Sequence, residues 1–203
     1  MDLARRIAAL RRRKEAAFRW LNATQFLGAF NDNLFKGFVT MFLIVLIPRW
    51  KGFLLGGATI LFAIPFLCFT AYAGFLADRF PKNRVTVALK YAELAVMALG
   101  VPLFLAGSPG LLFALLFLMS LQSALFSPTK YGIVPELVRK ERLTEANATL
   151  VMWSYLAIIA GAAVAPLAAD GLRNGLGLPT GRAYTIAQTL CVAVAVAGFS
   201  RAS

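Results

Sequence analysis

Polar residues whose side chains could bind a charged group or an ion interrupt an apolar stretch near the N-terminus. The segment FLGAFNDNLFKGF contains Asn31, Asp32, Asn33 and Lys36. At 100° per residue, Gln25, Asp32 and Lys36 share one helical face, and a carboxylate and an ammonium four residues apart can form an ion pair. This face is interpreted either as a substrate or ion site or as a polar contact that only holds helices together.

The elements that must position these residues are membrane helices. Hydrophobic residues make up 60% of the 203 residues and charged residues only 15%, far from the composition of a soluble domain. The apolar stretches lack the alternation of a membrane β-strand, and each is close to the roughly 20 residues that a spanning helix needs. We therefore predict an all-α membrane protein with six transmembrane helices, at residues 24–47, 53–77, 85–106, 108–127, 148–169 and 183–200.

Charges inside a membrane mark functional sites because their burial is costly. Counted from Thr24 at 1.5 Å per residue, Asp32 lies about 12 Å into the bilayer. Glu93 of the third helix lies about as deep, counted from Val85, with Lys90 one turn nearer the start of that helix. Lys90 is expected to extend toward the membrane surface. Glu93 is expected either to pair with Lys90 or a neighbouring helix, or to line the cavity.

Other kinds of chemistry lack the residues they need. The chain has no histidine, no glycine-rich phosphate loop after a strand and no Ser/His/Asp set. Its two cysteines, Cys68 and Cys191, fall inside predicted spans, where small apolar packing residues are expected. We therefore predict neither an enzyme nor a metal or cofactor site.

Basic residues outnumber acidic ones, 21 to 9, but their positions follow membrane topology. They cluster before the first helix and in the loops after the second and fourth helices, whereas the opposite loops hold four. The positive-inside rule therefore places both termini in the cytoplasm, and no nucleic-acid partner is predicted. Residues 1–23 form a basic cytoplasmic segment that either lies along anionic lipid or only fixes topology. Residues 24–200 form the transmembrane domain, and 201–203 a short cytoplasmic tail.

The stretch GFLADRFPKNRV, between the second and third helices, combines a glycine, an acid and a basic cluster. It resembles the signature found at this place in the major facilitator superfamily of membrane transporters. The resemblance implies a cytoplasmic gate, in which the glycine permits close helix contact and the charged residues form ion pairs that can open. The residues assigned to the gate are Gly74, Asp78, Arg79, Lys82 and Arg84.

Three further segments, FLGAFNDN, FSPTKYGIVPEL and LTEANATLVMWSYLAIIAG, together resemble the lysophospholipid transporter branch of that superfamily. The resemblance implies that Asp32 belongs to a central substrate cavity. It also implies a bacterial inner-membrane protein that moves lysophospholipids from the outer to the inner leaflet for reacylation, with membrane lipids as partners. The residues assigned to the cavity are Gln25, Asn31, Asp32, Asn33, Lys36 and Glu93.

The residues of the second of these segments also permit an interpretation of their own. Pro128 is expected to end the fourth helix and Pro135 to break the segment after it, with Thr144 capping the fifth helix. Most of the segment that connects the fourth and fifth helices is then an inert linker. Lys130 and Tyr131 are the exceptions, because a cation and an amphipathic ring near the membrane surface suit a lipid headgroup.

Small residues recur every four positions in the fifth helix, at Ala157, Gly161, Ala165 and Ala169. This spacing predicts close packing against another helix. The run GAAVAP within it also faintly resembles an element of proton-coupled drug antiporters. Proton-coupled movement of small molecules is therefore the alternative function.

Six helices correspond to one half of a major facilitator fold, in which each half contains two inverted three-helix repeats. We expect the N-terminal half of such a fold. A second six-helix half would complete it, as further residues of a longer protein, as a separate chain or as a second copy in a homodimer. The remaining hypothesis is an inert or regulatory membrane module without transport activity, with an acyltransferase as a candidate partner.

Overall fold

A computed structural model describes residues 2–199, with the side chains of residues 5, 6 and 8–199. Its six α-helices are α1 (Asp2–Leu46), α2 (Lys51–Arg79), α3 (Lys82–Ala106), α4 (Pro109–Leu137), α5 (Leu143–Asp170) and α6 (Thr180–Phe199). Short helical turns lie at Pro48–Trp50, Lys140–Arg142 and Gly171–Gly175. The predicted tail, 201–203, and the last residue of the sixth predicted span lie outside the described residues.

All six helices are long and apolar enough to cross a membrane. The prediction of an all-α membrane protein with six transmembrane helices is therefore confirmed. The first helix is much longer than its predicted span, with 45 residues and a length of about 68 Å at 1.5 Å per residue. Residues 2–23 thus continue the first span as one uninterrupted helix.

Two expectations about the region around the fourth helix are wrong. Pro128 and Pro135 both lie inside α4, which ends only at Leu137. A proline removes one backbone hydrogen bond, but neighbouring helices and local adjustments let membrane helices tolerate it. Thr144 lies inside α5, which begins at Leu143 without a side-chain cap.

The helix packing divides into two equivalent sets of three helices. The largest contacts join α1 to α5 and α2 to α4, followed by α3 to α6, and then by the pairs α3 with α4 and α1 with α6. If α1, α2 and α3 are exchanged with α4, α5 and α6, respectively, the same pairs of helices remain in contact. Because successive membrane-spanning helices alternate in direction, the second set is inverted relative to the first. The predicted 3+3 inverted repeat is confirmed.

The fully buried core combines an aromatic cluster with close helix contacts. Phe42 of α1 lies edge-on to Phe104 of α3 and to Tyr184 of α6, with ring centroids 5.1 Å apart in both pairs. On the other side of α1, a Cβ added to Gly161 would lie 2.5 Å from the backbone oxygen of Phe30. The predicted close packing of the small residues in α5 is therefore confirmed, and α1 is the partner.

Candidate functional site

A cavity of about 170 Å³ with charged side chains in its lining lies between helices of both repeats, and we call it the central cavity. Five helices contribute to it, so it forms only when both repeats pack together. Its lining residues are Gln25, Gly28, Ala29, Asp32 and Asn33 of α1, Phe62 and Phe66 of α2, Lys90 and Glu93 of α3, Gln122, Ser123, Phe126 and Lys130 of α4, and Ser154 and Ile158 of α5.

Asp32 connects the two repeats inside this cavity. The hydroxyl of Ser123 on α4 donates a hydrogen bond to Asp32 Oδ2. The other oxygen, Oδ1, is buried and has no hydrogen-bond partner among the described residues. The protein therefore leaves Oδ1 of Asp32 without a donor. A carboxylate that binds a ligand needs such an unused acceptor atom.

The expected ion pair between Asp32 and Lys36 is wrong. Within residues 2–199, the ammonium of Lys36 forms no ion pair with Asp32 and lies 5.1 Å from the ring centroid of Phe62. Lys36 also does not line the central cavity. Helical spacing put the two residues near one face, but the ammonium of Lys36 lies against the aromatic ring of Phe62 on α2.

Lys90 and Glu93 form a buried ion pair on α3. Lys90 Nζ lies 2.6 Å from Glu93 Oε2, and both side chains are at most 3% exposed. Asn31 Nδ2 donates to Glu93 Oε1 at 3.4 Å. Gly28 leaves room for the ammonium, since a Cβ there would lie 3.3 Å from Lys90 Nζ. The expectation that Lys90 extends to the membrane surface is wrong, whereas its pairing with Glu93 is confirmed.

The remaining predicted cavity residues are only partly brought together. Gln25 lines the cavity and donates to Ser154 Oγ of α5 at 3.0 Å. Asn33 also lines it, although its amide donates to the Ala29 carbonyl of its own helix at 2.9 Å. Asn31 is fully buried behind the cavity and reaches it only through its hydrogen bond to Glu93.

The two headgroup candidates have different surroundings. Lys130 lines the central cavity, with its ammonium 5.2 Å from the ring centroid of Tyr131. Tyr131 does not line it and is 39% exposed on the outside of α4. Both belong to α4 rather than to a linker after it, so the lysine reaches the same cavity as Asp32.

Sequence reasoning missed three polar residues that line the cavity. Gln122 and Ser123 belong to the run SLQSALF in α4, and Ser154 to the run VMWSYLA in α5. Single polar residues in apolar helices were the available signal. The signal is weak because a serine can instead satisfy itself on its own helix, as Ser154 also does by donating to the Leu150 carbonyl.

The predicted gate residues do not assemble as one cluster. Lys82 Nζ donates to the Gly132 carbonyl at 2.6 Å and pairs with Glu136 at 2.5 Å, which joins the start of α3 to the end of α4. Asp78, Arg79 and Arg84 are exposed, and none of them forms an ion pair within the described part of the chain. The close helix contact expected at Gly74 is absent, since a Cβ there would meet nothing within 4 Å.

A six-helix bundle of two inverted repeats around a buried charged cavity is the architecture of half a major facilitator transporter. Residues 58–172, more than half of the chain, match the major facilitator family described as "Transmembrane secretion effector". The chain therefore belongs to the major facilitator superfamily. No solved structure matches it.

Curated relatives carry the name lysophospholipid transporter LplT. The protein of Photorhabdus laumondii is 30% identical over 151 residues, which cover 72% of this chain and 35% of the relative. The proteins of Serratia proteamaculans and Salmonella heidelberg are each 32% identical over 151 residues, covering 72% of this chain and 35% and 34% of the relatives. The matched part thus spans about a third of each relative. The resemblance to this branch is confirmed, and six spans with bacterial relatives indicate a multi-pass bacterial inner-membrane protein.

Proposed function

We propose that this chain is half of a secondary transporter that moves lysophospholipids from the outer to the inner leaflet. The observation that carries the proposal is the central cavity, where two carboxylates and two ammonium groups line a space inside an apolar bundle. Charges at this depth are costly and mark substrate or ion pathways. The relatives named lysophospholipid transporter support the substrate class.

The charges of the cavity suit a zwitterionic headgroup. Asp32 and Glu93 contribute two negative charges, and Lys90 and Lys130 two positive ones. Lys90 and Glu93 already satisfy each other, which leaves Asp32 for a headgroup amine and Lys130 for its phosphate. A cavity of about 170 Å³ holds a headgroup but not an acyl chain, so the single tail lies in apolar surroundings outside it.

A second six-helix half completes the transporter, as further residues of a longer protein, as a separate chain or as a second copy. Residues 24–200 then form the half-transporter domain, 1–23 a basic cytoplasmic segment and 201–203 a cytoplasmic tail, with both termini in the cytoplasm. The arginine distribution supports this orientation. An acyltransferase that consumes the delivered lysophospholipid is the further partner.

Release toward the cytoplasm is controlled at the end of the bundle where Lys82 contacts α4. Its ion pair with Glu136 is half-exposed and therefore weak enough to break during a transport cycle. The neighbouring residues Asp78, Arg79 and Arg84 are exposed and Gly74 is half-buried at the same end, where the second half can contact them.

The test is uptake of labelled lysophosphatidylethanolamine by spheroplasts that express the chain with its second half. The proposal predicts uptake above that of cells without the chain. Two carboxylates in one cavity also support the proton-coupled alternative, because such groups can carry protons. Proton-driven efflux of an amphiphilic dye without lipid uptake would favour that alternative, and the absence of both activities would favour a membrane module without transport.

A further inference from the structure

A second, mostly apolar groove opens between α1 and α5, beside the central cavity and separate from it. It has a volume of about 520 Å³, within the range of ligand sites. We call it the α1–α5 groove. Its walls are formed mainly by Phe18, Arg19, Asn22, Phe26, Thr149 and Trp153. Gln25 and Ser154, which are the sequence neighbours of Phe26 and Trp153, close the seam toward the central cavity with their hydrogen bond.

The apolar part of the groove is aromatic and faces outward. Phe26 and Trp153 contact each other edge to face, with ring centroids 5.7 Å apart. Trp153 is 40% exposed, so its ring is accessible at the outer surface of the six-helix bundle. Tryptophan is enriched at membrane interfaces, where an acyl chain begins and the headgroup ends. The two rings therefore form a surface for the upper part of an acyl chain.

The polar part of the groove carries a positive charge without an acidic partner. Within residues 2–199, Arg19 forms no hydrogen bond or ion pair and is exposed. The nearby Arg142 differs, because both of its contacts to Glu145, at 2.9 Å, neutralise its charge. Arg19 is thus the groove residue available to an anion.

The depth of these residues matches the layers of a phospholipid. Arg19 precedes the start of the apolar stretch at Thr24 by five residues, which places it about 8 Å outside the hydrocarbon core, in the headgroup layer. Phe26 lies about 3 Å inside that boundary. One lipid molecule, oriented along the membrane normal, could therefore place its phosphate at Arg19 and its acyl chain against Phe26.

Asn22 adds a hydrogen-bond acceptor between these two levels. It lines the groove, is 7% exposed and donates its amide to the Phe18 carbonyl at 2.9 Å. Its oxygen Oδ1 has no partner among the described residues. A buried polar atom without a partner is costly, and a hydroxyl from a lipid headgroup or glycerol would satisfy it.

We propose that the α1–α5 groove is a binding site for an anionic phospholipid of the adjacent leaflet. Arg19 binds the phosphate, Asn22 accepts a headgroup hydroxyl, and Phe26 with Trp153 holds one acyl chain. The lipid is a resident ligand rather than the transported substrate, because the site lies outside the central cavity. This site does not depend on transport activity, so it stands or falls separately from the proposed function.

The experiment uses quenching of Trp153 by brominated lipids. Trp20→Phe and Trp50→Phe leave Trp153 as the reporter in the full chain, which is reconstituted in bilayers containing brominated phosphatidylglycerol or brominated phosphatidylcholine. The proposal predicts that phosphatidylglycerol binds about fivefold more tightly than phosphatidylcholine. This factor corresponds to the attraction of one basic residue to an anionic lipid surface. Arg19→Gln should remove the preference and Arg19→Lys should largely retain it. Arg13→Gln, which removes an exposed charge outside the groove, should leave it unchanged.

Three results would overturn the proposal. Equal quenching by both lipids would show contact with bulk lipid only. Equal loss in Arg19→Gln and Arg13→Gln would assign the preference to the general charge of the basic segment. Absence of quenching by either lipid would mean that protein covers the groove. Unchanged circular dichroism and elution volume in detergent establish that each variant is folded.

Discussion

Asp32 of α1 and Ser123 of α4 form a hydrogen bond between residues 91 positions apart in the chain. The two helices occupy equivalent places in the two inverted repeats, because exchanging the repeats exchanges α1 and α4. The central cavity therefore lies where the repeats meet, which is the usual place of a substrate site in transporters of this architecture.

The close contact of Gly161 with α1 predicts that adding one methyl group at this position lowers the stability of the protein. In Gly161→Ala the added Cβ would lie 2.5 Å from the Phe30 backbone oxygen, and α1 and α5 would have to separate. We expect a loss of about 1–3 kcal/mol, seen as a lower thermal unfolding midpoint in detergent. Gly56→Ala on α2 is the matched control, because nothing lies within 4 Å of that position. Equal midpoints for the two variants would contradict the close contact.

The buried pair of Lys90 and Glu93 predicts that a single replacement is more harmful than a double one. Glu93→Gln leaves the ammonium buried without its counter-charge, and we expect a cost of about 3–5 kcal/mol. Replacing both residues, as in Lys90→Met with Glu93→Leu, removes the charges together and should cost less.

The exposed pair of Arg11 and Glu15 provides the control for this comparison, measured by the same thermal unfolding. Its atoms lie 3.1 Å apart at the surface, so Glu15→Gln should change stability by at most about 1 kcal/mol. A stability for Glu93→Gln equal to that of Glu15→Gln would show that the α3 pair is solvated.

Features of this molecule that depend on residues close together in the sequence were predicted better than contacts between distant helices. The number and position of the helices depend on local hydrophobicity, and the close packing of Gly161 on a local repeat of small residues; both predictions are confirmed. The wrong ending of α4 at Pro128 has a local cause too. The rule that proline ends helices rests on its missing amide hydrogen and its clash with the preceding turn, whereas in a membrane bundle neighbouring helices and local adjustments let the helix continue.

The site was harder to predict because its partners come from distant helices. Asp32 was found from its charge, but its partner Ser123 is one of several serines in apolar runs, and only the fold selects it. Lys36 was assigned to the cavity because of its helical spacing, yet its ammonium lies against the Phe62 ring of α2 and the residue does not line the cavity. Lys90 was expected at the surface because spacing alone does not reveal the room that Gly28 leaves for its ammonium.

The arginine distribution predicts the orientation of the loops. In a variant without Cys68 and Cys191, cysteines placed at Gly52 or Asn174 should react with an impermeant maleimide added to sealed cells. A cysteine at Asn83, in the first turn of α3, should react only after permeabilisation, because the predicted topology puts this end of α3 in the cytoplasm. All three positions are exposed, so access rather than burial decides the result. Labelling of Asn83→Cys in sealed cells would invert the topology.

The charged central cavity predicts an assembly larger than one chain. In transporters of this architecture the substrate site lies at the interface between repeats, so we expect a second half to cover the side of the central cavity where the half-buried Lys130 lies. Native mass spectrometry in a mild detergent should give a mass of at least twice the 22.0 kDa of the chain, or that of a complex with a separate second half. A stable, monodisperse monomer would be evidence against this assembly.

The role of Asp32 is the central claim, and uptake of labelled lysophosphatidylethanolamine tests it most directly. Asp32→Asn keeps the size of the side chain and an oxygen that accepts the Ser123 hydrogen bond, but it removes the charge available to the headgroup amine. Asp170→Asn removes an exposed carboxylate outside the central cavity and is the matched control. With the chain and its second half expressed equally in spheroplasts, we predict loss of uptake in Asp32→Asn and normal uptake in Asp170→Asn. Normal uptake in Asp32→Asn would contradict the assignment of the central cavity as the substrate site.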